Sequence, residues 1–162
     1  VAAVADFNND GKPDIFWRNL NTGANTIWYM NNATFLSSRT IQARTNFDWV
    51  VGAVADMDGD GFQDTIWRNT VTGKNTIWHL DANQATLTRI SMPQEADTSW
   101  EIAGAVDYDL DGNADVVWWN PVTGATKVWY MNDTTLLGTD TLPSETDLDW
   151  ILEDVAEFDV IP

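Results

Sequence analysis

The sequence predicts an all-β repeat fold of three four-stranded units, and three observations carry that prediction. An acidic nine-residue loop occurs three times, as DFNNDGKPD from Asp6 to Asp14, DMDGDGFQD from Asp56 to Asp64 and DYDLDGNAD from Asp107 to Asp115. A self-similarity of about 50 residues is the signature of stacked supersecondary units. The ten tryptophans fall almost entirely into register: Trp17, Trp67 and Trp118 form one column, Trp28, Trp78 and Trp129 a second, Trp49, Trp100 and Trp150 a third. Between the first two columns each copy has a Thr-Gly pair (Thr22-Gly23, Thr72-Gly73, Thr123-Gly124) flanked by short apolar runs. That is a hairpin pattern, because Gly supplies the positive φ of a tight reversal.

The second copy shows the elements in order. WVVGAVA from Trp49 to Ala55 is the first strand, and its small residues Gly52, Ala53 and Ala55 suit a crowded inner position. The acidic loop follows, then a second strand near Thr65 to Asn69, the Thr-Gly turn, a third strand near Asn75 to Leu80 and a fourth near Thr86 to Met92. A long connection through Pro93 and Asp97 leads to the next Trp. Four short strands in such a repeat are the unit of a β-propeller blade. The blades divide as 1–48, 49–99 and 100–149, with 150–162 a surplus first strand.

Composition narrows the function. The net charge of −17 repels a phosphate backbone and anionic headgroups, so nucleic acid and membrane surfaces are poor partners and cations good ones. Eleven of the 25 carboxylates are loop Asp residues, so the charge is concentrated rather than spread over a solvated face. No apolar run approaches the roughly 20 residues of a membrane span. The absence of cysteine excludes disulfides and thiol chemistry. The chain opens at Val1 in a strand-like run, so any export signal is expected to have been removed.

Oxygen-bearing side chains occupy loop positions 1, 3, 5 and 9: Asp6, Asn8, Asp10 and Asp14; Asp56, Asp58, Asp60 and Asp64; Asp107, Asp109, Asp111 and Asp115. Alternate residues of a curled loop can aim their oxygens at one hard cation, and Ca²⁺ takes about six to eight of them. Position 6 is Gly in every copy, as a sharp turn requires, and position 7 (Lys12, Phe62, Asn113) varies, as expected of a backbone carbonyl ligand. An EF-hand would need a bidentate Glu at position 12 and flanking helices. Position 12 is instead Trp17, Trp67 and Trp118, between β-type runs. Mg²⁺ is the weaker candidate, since so many oxygens suit a larger, less exacting ion.

The loop, the W-R-N that follows it in two copies and the T-G-x-x-x-[IV]-W hairpin together resemble the FG-GAP or VCBS repeats of integrin α-chain propellers, secreted bacterial proteins and a fungal propeller lectin. The resemblance covers nearly the whole chain. It implies that each loop joins the first and second strands of a blade and binds Ca²⁺, three ions per chain, through the twelve side chains above. It also implies a lectin as one function, since the fungal relative binds amino sugars between blades. Trp rings stack on sugar CH faces and amides or guanidinium groups bond hydroxyls. The candidate contacts are therefore Arg18, Asn19, Arg68, Asn69, Trp119 and Asn120, with Tyr29, His79 and Tyr130 from the third strand.

The nine registered tryptophans are expected to pack between blades and Trp119, outside the columns, to be exposed. His79 has no triad partners in the sequence, so the protein is expected not to be an enzyme. Asn32-Ala33-Thr34 and Asn132-Asp133-Thr134 fit the glycosylation sequon and sit at the same turn. Three blades are fewer than the roughly four to eight of a closed ring. The chain is thus expected to continue into a longer propeller or to self-associate through its surplus strand, an unpaired edge being a template for pairing. The expected function is an extracellular or cell-surface module that binds a glycan or protein. A filament or oligomer subunit and the targeting propeller of a secreted enzyme are the alternatives.

Overall fold

The computed structural model describes residues 1–81 and 87–152, apart from the side chain of Leu87. Twelve strands form three four-stranded antiparallel sheets, with no helix among the described residues. Sheet 1 contains β1 (Ala3–Ala5), β2 (Asp14–Arg18), β3 (Asn25–Asn31) and β4 (Thr34–Ile41). Sheet 2 contains β5 (Trp49–Ala55), β6 (Asp64–Asn69), β7 (Asn75–Leu80) and β8 (Leu87–Met92). Sheet 3 contains β9 (Glu101–Val106), β10 (Asp115–Asn120), β11 (Ala125–Asn132) and β12 (Thr135–Leu142). In each sheet the strands lie side by side in chain order, as a blade requires. Residues 82–86, with the start expected for the fourth strand at Thr86, and 153–162, with most of the surplus strand, lie outside the described residues.

The first strands form the inner edge, β5 touching both β1 and β9. They approach closely because they are built of small residues. A Cβ on Gly52 would come within 2.8 Å of Ile102 Cβ, and the β5–β6 register shifts at this glycine. Among the described residues the three sheets do not close into a ring; this is a partial propeller.

Period-two alternation gives each sheet two chemically different faces. Trp67 and Trp78 of sheet 2 pack against Phe7, Phe16, Ile27 and Ile41 of sheet 1. Trp118, Trp129 and Met131 of sheet 3 pack in the same way against Met57, Ile66, Ile77 and Met92 of sheet 2. Within a sheet the paired rings lie 4.6 to 4.9 Å apart. Sheet 1 presents the same pair, Trp17 and Trp28, to no other described sheet, and Trp28 is 38% exposed. The expected packing of all nine registered tryptophans therefore needs correction at both ends of the array. Trp28 is exposed and Trp150 is 68% exposed, and among the described residues neither has the neighbouring sheet that covers its counterparts.

Trp119 departs from expectation in the opposite direction. It is buried, packed with Ala103, Val117 and Val128 and flanked by Leu142 and Leu152 on the outer face of sheet 3.

Candidate metal centre

Each acidic loop joins the first and second strands of its sheet and is shaped by its own carboxylates. The position-1 Asp accepts the N–H of the position-6 Gly: Gly11 to Asp6 at 2.6 Å, Gly61 to Asp56 at 2.8 Å and Gly112 to Asp107 at 2.9 Å. The position-5 Asp accepts the N–H at position 7: Lys12 to Asp10 at 3.0 Å, Phe62 to Asp60 and Asn113 to Asp111 at 2.8 Å. The second set are Asx-type bonds, and together with the five-residue bonds of the first they curl the chain within the loop. Position 6 is left-handed in every copy, with φ of 81°, 89° and 93° at Gly11, Gly61 and Gly112. Position 4 is left-handed as well, at Asn9, Gly59 and Leu110, and nothing in the loop spacing foretold it.

The position-9 Asp fastens the loop to the sheet. Asp64, fully buried, accepts N–H bonds from Met57 at 3.0 Å and Leu80 at 2.9 Å. Asp14 receives them from Phe7 and Met30, and Asp115 from Tyr108 and Met131. Burial pushes the Asp64 carboxyl up to about 7, while those two N–H groups and His79 pull it down and Asp58 adds to the rise. The carboxyls of Asp14 and Asp115 are raised for the same first reason. A bound cation reverses this cost, since an adjacent opposite charge favours the ionised form.

The donor set fits a hard cation. One oxygen each from Asp56, Asp58 and Asp60 lies within 4.8 Å of the others, and the same holds for Asp107, Asp109 and Asp115. Each oxygen that accepts a backbone N–H keeps further lone-pair capacity for an ion. Loop 1 has the oxygens but less charge. Asn8 stands at its third position, its amide 3.4 Å from Asp10, and no three of its carboxylates come that close.

Most of the expected ligand-contact residues are occupied within the protein. Arg68 is buried; its guanidinium donates to the carbonyls of Gly73, Glu95 and Asp97 and lies 4.9 Å over the Trp118 ring, as Arg18 lies 4.8 Å over Trp67. Arg18 donates to the carbonyls of Arg44 and Trp49. Asn19, Asn69 and Asn120 cap the Thr-Gly turns, each Oδ1 accepting two backbone N–H groups, such as those of Val71 and Thr72 at Asn69. Their fixed place three residues before the Thr of every Thr-Gly pair was a sequence signal of that role. The turn glycines are needed twice over, for φ near 70° and because a Cβ would run into the connection after the fourth strand, 2.4 Å from Arg44 O at Gly23 and 2.1 Å from Glu95 O at Gly73.

The third-strand residues lie beside the loops. Tyr29 packs against the sheet 1–sheet 2 core, and Tyr130 donates its hydroxyl to Asp140 at 3.1 Å. His79, half-buried, sits 3.4 Å from Asp58 and 2.9 Å from Asp133 of sheet 3. The two sequons share a hairpin turn but differ in register by one residue: Asn32 is in the turn with positive φ, whereas Asn132 pairs with Thr135 and Asp133 takes the positive φ.

The profile of the FG-GAP-like repeat matches residues 6–67 and 56–118. No curated protein matches the chain. The two matched stretches take in all three loops and most of the chain, which therefore belongs to the FG-GAP-like repeat family.

Proposed function

We propose that this FG-GAP-like repeat chain is a calcium-stabilised, non-enzymatic binding module of the extracellular space or cell surface, holding three Ca²⁺ ions. The observation that carries the reading is the threefold loop, with oxygen-bearing side chains at positions 1, 3, 5 and 9, three carboxylates drawn together in loop 2 and in loop 3, and the position-9 Asp anchored beneath the sheet. The expected ligands are the twelve side chains and the position-7 carbonyls of Lys12, Phe62 and Asn113. Largely exposed loops, one carrying Asn8 and Lys12, suit the weak affinities of extracellular calcium modules, about 10⁻⁴ to 10⁻³ M. Calorimetric titration of chelator-stripped protein should give three ions per chain and a rise in Tm. A Tm indifferent to calcium and chelator would sink this reading.

For the partner, the open face of sheet 1 supports a further blade, from a second copy or from a continuation of the same array. Trp17 and Trp28 hold the positions whose counterparts are covered in sheets 2 and 3. The same face has a glycan-like chemistry, with Trp17 and Trp28 beside the hydroxyls of Thr26, Ser38 and Thr40. Particle mass and a glycan array separate the two. Larger particles that dissociate on Trp28→Ala favour the blade, and sugar binding by monomers that is lost in the same variant favours the glycan.

A further inference from the structure

The second repeat differs from its neighbours at one position beside the loop. The place of Tyr29 and Tyr130 is taken by His79, the chain's one histidine. Its Nδ1 lies 3.4 Å from Asp58 Oδ2 and its Nε2 4.0 Å from Asp64 Oδ2. One donor atom from each of Asp58, Asp64 and His79 falls within 4.8 Å of the other two. Atoms that share a zinc ion at about 2.0 to 2.2 Å stand roughly 3 to 3.5 Å apart, so the Nδ1–Asp58 pair already has that spacing, while Asp64, nearest to Nε2, must turn its carboxylate toward Nδ1 to join the set.

The far side of the ring adds an independent observation. Asp133, on the hairpin turn of sheet 3, has its Oδ1 2.9 Å from His79 Nε2. Both atoms are shut off from solvent, and neither completes a hydrogen bond of normal geometry. A carboxylate behind the second nitrogen is the arrangement that fixes the tautomer and raises the basicity of a metal-bound imidazole. The site therefore has an inner set from sheet 2 and a positioning carboxylate from sheet 3.

We propose that Asp58, Asp64 and His79 form a mixed nitrogen–oxygen site for a divalent transition ion of the Zn²⁺ type, with Asp133 as its outer carboxylate. Imidazole with two carboxylates suits Zn²⁺ and its neighbours, whereas Ca²⁺ takes oxygen alone. The site shares Asp58 and Asp64 with the second calcium loop but does not rest on the calcium reading. It also spans two sheets, so an ion there links the second and third blades.

The test is calorimetric titration of the chelator-stripped protein with Zn²⁺ alone, on wild type, His79→Tyr and Asp133→Asn. His79→Tyr restores the residue of the other repeats and so keeps the fold. The expected result is one ion per chain in wild type, at least tenfold weaker binding in His79→Tyr and about tenfold weaker in Asp133→Asn. The single imidazole should also shift its NMR signals on addition of Zn²⁺ to the chelator-stripped protein. Equal Zn²⁺ affinity in wild type and His79→Tyr, or no Zn²⁺ binding, overturns the site even if three calcium ions bind. Loss of the calcium effect with the histidine-dependent Zn²⁺ site intact overturns only the calcium reading.

Discussion

The contact between sheets 1 and 2 and the contact between sheets 2 and 3 bury the same tryptophan pair but place a cation over it from opposite directions. In the first, Arg44, on the connection after β4, reaches across. Its guanidinium lies 3.5 Å over Trp49 and 5.1 to 5.2 Å from Trp67 and Trp78, and it donates to Thr76 Oγ1 at 3.0 Å. In the second, the equivalent connection residue is Glu95 and the equivalent of Thr76 is Lys127, which pairs with it. Lys127 Nζ lies 4.0 Å over Trp100 and 5.6 to 5.7 Å from Trp118 and Trp129. The two contacts thus share a requirement, a desolvated cation over three indole rings, and differ in which sheet supplies it. A cation over an indole face is stabilised by about 0.5 to 2 kcal/mol, more as water is excluded. Sheet 1 has Thr26 where sheet 3 has Lys127, so a blade covering Trp17 and Trp28 needs a basic residue on its connection.

The largest effect that sharpens the comparison is truncation of the rings. Trp67→Ala and Trp118→Ala should each cost about 3 to 5 kcal/mol by chemical denaturation. Trp28→Ala should cost under about 1 kcal/mol in a monomer, and a cost as large as the other two would show that a further blade covers it in solution. Calcium should act next in size. An ion present at a hundredfold its Kd adds about 2.7 kcal/mol per site, so chelation should lower Tm, with loop 1 emptying first because Asn8 replaces an acid. Asn8→Asp should bring the loop 1 affinity towards the others in the titration.

The cation swap gives a smaller, more pointed test. Arg44→Glu should destabilise by about 1 to 2 kcal/mol, and adding Thr76→Lys, which converts the first contact to the chemistry of the second, should recover most of the loss. Additive losses in the double variant would break the equivalence of the two contacts. The smallest expected effect is at Leu110, 86% exposed with φ of 63° in the position that loop 2 fills with Gly59. Leu110→Gly removes left-handed strain at the expense of chain entropy and should raise stability by up to about 1 kcal/mol, read as a shift in denaturation midpoint. A lower midpoint would show that the side chain contributes a contact outweighing the strain.

By itself the sequence determined the repeat, the strand order within each sheet, the hairpin glycines and the oxygen spacing of the loops. These are local properties: period-two alternation, positive φ at Gly and alternate donors along a short loop act within about ten residues. Tertiary structure alone decided which side chains are spent on packing. Arg68 looked available for a ligand but bonds carbonyls from the connection beyond its own sheet. Trp119 packs into an apolar cluster that is only assembled when β9, β10 and β11 pair. Trp17 and Trp67 share a column, yet among the described residues only the second has a sheet against it. His79 reads as an isolated histidine until the third sheet brings Asp133 to its far nitrogen. Burial and charge pairing arise when distant strands are stacked, and a repeat pattern states what each unit contains without stating what covers it.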